Sequence, residues 1–231
     1  MSKKKLVVFT GAGISAESGI KTFRDAGGLW EQYRIEDVAT FEAWERNREL
    51  VLNFYNERRR QVMEAQPNAA HLMIAELETE FDVQVVTQNV DDLHERAGSK
   101  KVLHLHGEIM KARSTVDDQL VYALNDWQLN SGDLCEKGSQ LRPHIVWFGE
   151  MVPDMDTANE LAARTDLMVV VGTSLNVYPA AGILNFVAGS VPLWLLDPGE
   201  FHLDYLKRLK HIRQTAVKGA EALKNELLNH R

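Results

Sequence analysis

Short apolar runs that stop at glycine or at a polar cluster recur along this chain. Lys5-Leu6-Val7-Val8-Phe9-Thr10 breaks into Gly11-Ala12-Gly13-Ile14-Ser15-Ala16, the order of a buried strand, a tight turn and a helix start. Residues 83–87, 102–107, 144–150, 167–171 and 192–197 repeat the theme, and each ends in glycine or in amide and acid side chains. Helical spacing covers residues 41–66, Pro67-Asn68-Ala69-Ala70-His71 marks a break and a new start, and a last helix is expected over 216–229. The pattern predicts an α/β fold built on a doubly wound parallel sheet.

Residues 108–141 read differently. Polar turn material surrounds one helix-like segment at 120–129, which suggests a small inserted lobe. The expected division gives the sheet domain residues 1–30, 67–108 and 142–231, and the lobe residues 31–66 and 109–141. At 231 residues, 45% hydrophobic and 26% charged, the composition is that of an ordinary globular protein. The net charge of -7 argues against a surface that tracks nucleic-acid phosphates and favours a basic peptide partner. A lone cysteine, Cys135, excludes an internal disulfide and fits a reducing compartment. The apolar run after Lys3-Lys4-Lys5 is too short for a signal peptide or membrane span, so a cytoplasmic protein without membrane contact is expected; the sequence does not give its oligomeric state, and a monomer is the default expectation.

Candidate chemistry gathers at the strand ends. Gly11-x-Gly13-x-x-Ala16 fits a relaxed dinucleotide fingerprint, although glycine in this turn also serves packing alone. The loop over residues 19–30, with Phe23, Arg24 and Trp30, either folds over a ligand or is a connection pinned by aromatics. Gln88-Asn89-Val90-Asp91 and His106 follow strands, where ligands of this architecture bind; His106 is a candidate general base and His104 shares its face. Asp197 either bonds a ribose or caps the next turn. On the 41–66 helix, Val51, Tyr55, Arg58 and Val62 form one stripe, while Arg59 and Arg60 read as solvated charge. A guanidinium on an apolar face needs an anion, supplied either by the protein or by a substrate carboxylate.

These strand ends together resemble the sirtuin family of NAD-dependent protein lysine deacylases. The resemblance rests on residues 11–15 and 19–24, Thr87-Gln88-Asn89-Val90-Asp91-Asp92-Leu93-His94, His106-Gly107, Val146-Trp147-Phe148-Gly149-Glu150 and Gly172-Thr173-Ser174-Leu175. It implies a Rossmann-like NAD domain with a small lobe and an acylated protein lysine lying in the cleft between them. His106, Asn89 and Asp91 would be catalytic. Gly11, Ala12, Gly13, Glu17, Phe23, Arg24, Gln88, Asn89, Val90, Asp91, Gly172, Thr173, Ser174, Asp197 and Ala216 would help hold NAD. Val146, Trp147, Phe148 and Gly149 would form the substrate strand and lysine tunnel. One branch pairs Tyr55-x-x-Arg58 with an alanine at the position of Ala26 to accept succinyl and malonyl groups.

Three departures stand out. The two Cys-x-x-Cys pairs that hold zinc in most members are missing, so no zinc is expected. Lys21 replaces a proline, and Asp197 stands where many members carry asparagine. The alternatives are mono-ADP-ribosyl transfer and a non-catalytic NAD or ADP-ribose-binding module.

Overall fold

A computed structural model describes residues 2–20, 33–173, 175, 178–201 and 208–231. A six-stranded parallel sheet is formed by β1 (Lys5–Thr10), β2 (Asp82–Thr87), β3 (Val102–His104), β7 (Leu167–Val171), β8 (Leu193–Leu196) and β9 (Leu209–Ile212), in the order β3-β2-β1-β7-β8-β9. A three-stranded antiparallel sheet, β5-β4-β6, comprises β4 (Gly107–Ser114), β5 (Val121–Ala123) and β6 (Leu141–Ile145). The helices are α1 (Gly13–Ala16), α2 (Ile35–Val38), α3 (Phe41–Arg46), α4 (Arg48–Glu64), α5 (Ala69–Glu76), α6 (Leu93–Arg96), α7 (Met155–Ala163) and α8 (Ala216–Leu228).

Strand alternation divides the core into two layers. Leu6 and Val8 join Val83, Val85, Val169 and Trp194 on the face covered by α5 and α8. Val7 and Phe9 join Val86, Met168, Val170 and Leu195 on the opposite face, under α7 and a 3-10 segment at Ala180–Phe186. Burial on both faces explains why β7, β8 and residues 6–9 of β1 are apolar throughout. A separate core lies in the small lobe, where Trp44, Val51, Phe54 and Tyr55 pack against Ile109, Ala112, Ile145 and Trp147.

Several expectations are corrected. The 41–66 helix is two helices, broken at Asn47, whose Oδ1 accepts from Leu50 N at 3.1 Å and caps α4. Residues 120–129 are not helical; they hold β5 and turns, because Val121 and Tyr122 pair with β4. The strand expected over 144–150 is β6, which begins at Leu141 and ends at Ile145. Strand β3 ends at His104, before His106. The strands β4 and β9 and the helix α7 were not anticipated.

Register builds the site. Thr10 stands level with Thr87 on one side and Val171 on the other, and Thr87 stands level with His104. The residues after these strands therefore leave the sheet at one carboxyl edge, and the strand order reverses between β1 and β7. Such a switch point is where open α/β sheets bind ligands.

Candidate active site

The glycine turns meet across that switch point. Gly13 N donates to Gly172 O at 2.8 Å, and Gly11 N donates to Val171 O at 3.1 Å. A Cβ on Gly13 would lie 2.7 Å from Gly172 Cα, and Gly172 itself has φ +61°. These glycines first allow two turns to touch; they also leave bare backbone and the exposed Ala12 at the edge. Gln88 Nε2 donates to Thr173 Oγ1 at 3.0 Å, linking the ends of β2 and β7.

Beside the turns lies a buried polar chain. Ser15 Oγ donates to Asp91 Oδ2 at 3.0 Å and accepts from Asn89 Nδ2 at 3.1 Å, while Leu93 N donates to Asp91 Oδ1 at 3.2 Å. His71 Nε2 lies 3.5 Å from the same Ser15 oxygen, its Nδ1 accepting from Asn68 N at 3.3 Å in a capping box. Burial raises the Asp91 pKa, with the Leu93 and Ser15 hydrogen bonds pulling the other way. Burial also lowers the His71 pKa to about 4 and holds His94 well below its ordinary value. His94 Nε2 contacts Thr10 Oγ1 at 3.1 Å. Ser15 falls in the 11–15 stretch of the resemblance and His71 in the helix start at 67–71, but the sequence assigns neither a role in the site.

The paired histidines have different tasks. His106 Nδ1 donates to Gln88 O at 2.9 Å, which leaves Nε2 free to take a proton. Burial lowers its pKa, so the ring is neutral near pH 7. His104 is engaged at both nitrogens, by Asn89 O at 2.9 Å and Glu95 Oε1 at 2.8 Å. Burial opposes its charge, yet the Glu95 carboxylate and the Asn89 carbonyl raise its pKa overall. His104 is structural.

Other expected cofactor residues already carry structural bonds. Glu17 Oε2 accepts from Val217 N at 3.0 Å, tying the first turn to α8, and the Ala216 methyl lies in the core. Asp197 Oδ1 accepts from Gly199 N at 2.8 Å, the capping alternative. Val90 O accepts from Ile109 N at 2.8 Å. Lys21, Phe23, Arg24, Ala26 and Ser174 lie outside the described residues.

On the lobe side, Val146 N donates to His106 O at 2.9 Å, which ties the expected substrate segment to the candidate base. Phe148 N donates to Ala39 O at 3.0 Å, its ring remaining 50% exposed, and Gly149 turns the chain at φ +90°. Trp147 Nε1 donates to the Tyr55 hydroxyl at 3.0 Å. Arg58 is half-buried on the same helix face, its Cζ 5.7 Å from the Phe54 ring centre and 6.0 Å from that of Tyr55. Burial pushes the Tyr55 pKa up to about 12, although the Arg58 charge pulls it down, so the phenol keeps its proton.

Arg59 departs from expectation. It is fully buried, donating to Ile109 O at 2.7 Å, Trp127 O at 2.6 Å and Asn56 Oδ1 at 2.8 Å. Helix α4 is covered on two sides, so positions flanking the main stripe are also buried.

A dinucleotide fits this edge. Amide, carboxylate and imidazole groups gather past β2 and β3, and glycine turns bare of side chains lie past β1 and β7. Residues 11–179 match the Sir2 family. The chain belongs to that family. An NAD-dependent protein deacylase of Bacteroides thetaiotaomicron is 49% identical over 230 residues, 97% of this chain and 98% of that protein. A crystal structure of a Sir2 homolog–NAD complex is 39% identical, with a TM-score of 0.88 over 99% of this chain and 91% of the other. A Sir2 structure with a deacetylated peptide and 3′-O-acetyl ADP-ribose is 33% identical, with a TM-score of 0.83 over 97% and 94%. NAD is the cofactor of this Sir2 chain. The zinc of most sirtuins does not fit here: Cys135 is the lone thiol, its Sγ bonded to the Ser114 and Ser139 hydroxyls at 3.4 and 3.5 Å. Among the described residues no group of three or more His, Cys, Asp or Glu side chains could hold a metal ion. No helix among them is long and apolar enough to cross a membrane.

Proposed function

We propose that this NAD-dependent protein deacylase draws its substrates from protein lysines carrying acidic acyl groups, succinyl and malonyl, and accepts acetyl as well. The carrying observation is the Tyr55–Arg58 pair: a protonated phenol and a guanidinium on one face of α4, with the Arg58 charge felt at Tyr55 and itself favoured by the Asp91 carboxylate. A carboxylate at the end of an acyl chain accepts from both. The peptide would lie between the lobes along Val146, Trp147, Phe148 and Gly149, close to the base because Val146 hangs from the His106 carbonyl.

Bound NAD supplies an electrophilic ribose carbon with nicotinamide as its leaving group. Asn89 and Asp91 orient polar atoms at that end of the cleft, fixed through Ser15. The Gln88 carbonyl holds the His106 ring, so Nε2 receives a proton from a ribose hydroxyl. Gln88 also braces Thr173 on the phosphate side.

The test is Arg58→Met on matched succinyl and acetyl peptides. A hydrogen bond to a charged group is worth roughly 1.5–3 kcal/mol, so the succinyl-to-acetyl ratio of kcat/KM should fall about tenfold to a hundredfold. If Arg58 serves only an internal carboxylate, both peptides lose equally and the melting temperature drops. That outcome leaves a plain deacetylase.

A further inference from the structure

Behind Tyr55 stands a group of charges that meets the expected substrate segment only through Trp147. Arg113 and Arg142 face each other across the β4–β6 ladder, a like-charged pair that needs an anion between them. Glu150 supplies it. Its carboxylate accepts from Arg142 Nη1 at 2.6 Å and Nη2 at 3.0 Å, and from Arg113 Nη2 at 3.3 Å. The same carboxylate accepts from Trp147 N at 2.7 Å, and Arg142 Nη2 also donates to Ile145 O at 3.0 Å.

Held in this fork, the Arg142 guanidinium lies with Cζ 3.4 Å from the Trp147 ring centre. Trp147 is thereby fixed twice, by its backbone N–H to Glu150 and by its ring face to Arg142. Its far edge, Nε1–H, donates to the Tyr55 oxygen at 3.0 Å. Two further tryptophan and tyrosine ring contacts, Trp44 at 5.8 Å and Tyr55 at 6.4 Å, close the stack.

A phenol O–H lies near the ring plane and has two directions, one on either side of the C–O bond. A donor that occupies one side leaves the other for the proton. The indole thus decides where Tyr55 aims its hydrogen. We propose that Arg142 and Glu150 are positioning residues for acyl selectivity: through Trp147 they turn the Tyr55 hydroxyl toward the carboxylate of an acidic acyl group. The inference rests on the acidic-acyl reading and adds to it the device that orients the donor. Burial keeps the phenol protonated near pH 7, so the hydroxyl has a proton to aim.

The experiment uses the full chain, NAD and matched succinyl and acetyl peptides. Arg142→Lys keeps the charge facing Glu150 but loses the planar fork and the ring stack. The succinyl-to-acetyl ratio of kcat/KM should fall about threefold to tenfold, carried by KM of the succinyl peptide, the worth of one oriented hydrogen bond. In a Tyr55→Phe background the same change should leave the ratio where Tyr55→Phe alone put it, because the hydroxyl it acts through is gone. Equal losses on both peptides, or a ratio effect that survives in the Tyr55→Phe background, overturn the positioning role. Should Arg142→Lys fail to fold, Trp147→Phe asks the same question: its effect on the ratio should vanish without the Tyr55 hydroxyl, and persistence overturns the inference. A succinyl-to-acetyl ratio that does not change when Arg58→Met is made alone refutes the acidic-acyl reading itself, and the inference falls with it.

Discussion

Replacing Arg59 by Met should destabilise the chain far more than the same change at its neighbour Arg60. The Arg59 guanidinium bridges α4 to Ile109 O on β4 and to Trp127 O, and braces Asn56, whose amide in turn holds Leu129 N and O. Burial lowers its pKa to about 10, so it stays charged at pH 7 and its desolvation is a real cost. Removing a buried charge sometimes stabilises a protein, when every partner is replaced by apolar groups. Here the partners include two backbone carbonyls that no side-chain change removes. Each orphaned carbonyl costs about 1–3 kcal/mol, so the net loss should be roughly 3–5 kcal/mol. For a chain of this size each kcal/mol moves Tm by about 2–4 °C, so Arg59→Met should melt about 6–20 °C lower. Exposed Arg60→Met should stay within about 0.5 kcal/mol. Thermal denaturation of both variants followed by circular dichroism decides it. A native-like melt for Arg59→Met would refute the claim that this guanidinium holds the small lobe together.

Further expectations follow from the same geometry. His106→Ala should lower turnover by roughly 10²–10⁴ with little change in NAD affinity; near-normal turnover would remove the ring from the mechanism. Because the His106 pKa lies below its ordinary value, activity should rise with pH through a midpoint under 6.5 and then level. His71 goes from an ordinary 6.5 to about 4 on folding, so the unfolded chain binds its proton first as pH falls. Stability should therefore be complete above pH 6.5 and decline by about 3 kcal/mol toward pH 4, a loss that His71→Gln should reduce and urea titrations at several pH values would reveal. A chelator should leave Tm and activity unchanged, whereas stoichiometric zinc by elemental analysis would show a ligand set beyond the described residues.

Legibility in the sequence followed the type of burial. β1, β7 and β8 are covered on both faces, so their apolar runs were plain, and the residues after them marked the carboxyl edge. β4 and β9 carry charged residues such as Lys111 and Lys210 on partly open faces, and nothing in their pattern stood out. Arg58 and Tyr55 were placed on one stripe, but a single-stripe picture assigns Arg59 to solvent; only the packing of α4 against two neighbours buries it. The Trp147–Tyr55 bond joins residues far apart in sequence, and its length of 3.0 Å depends on the lobe being folded. No local pattern carries such information.

The contact between the glycine turns bears on how this protein tolerates mutation. With Gly13 and Gly172 backbone to backbone, any side chain at either position forces β1 and β7 apart at their ends. In a screen scoring cellular abundance and deacylation separately, changes at these glycines would lose both signals together and mimic core defects. Ala12, exposed between them, would instead lose activity while the protein accumulates normally. The residues most often taken as a cofactor signature would thus sort with the interior, and the unremarked alanine with the chemistry.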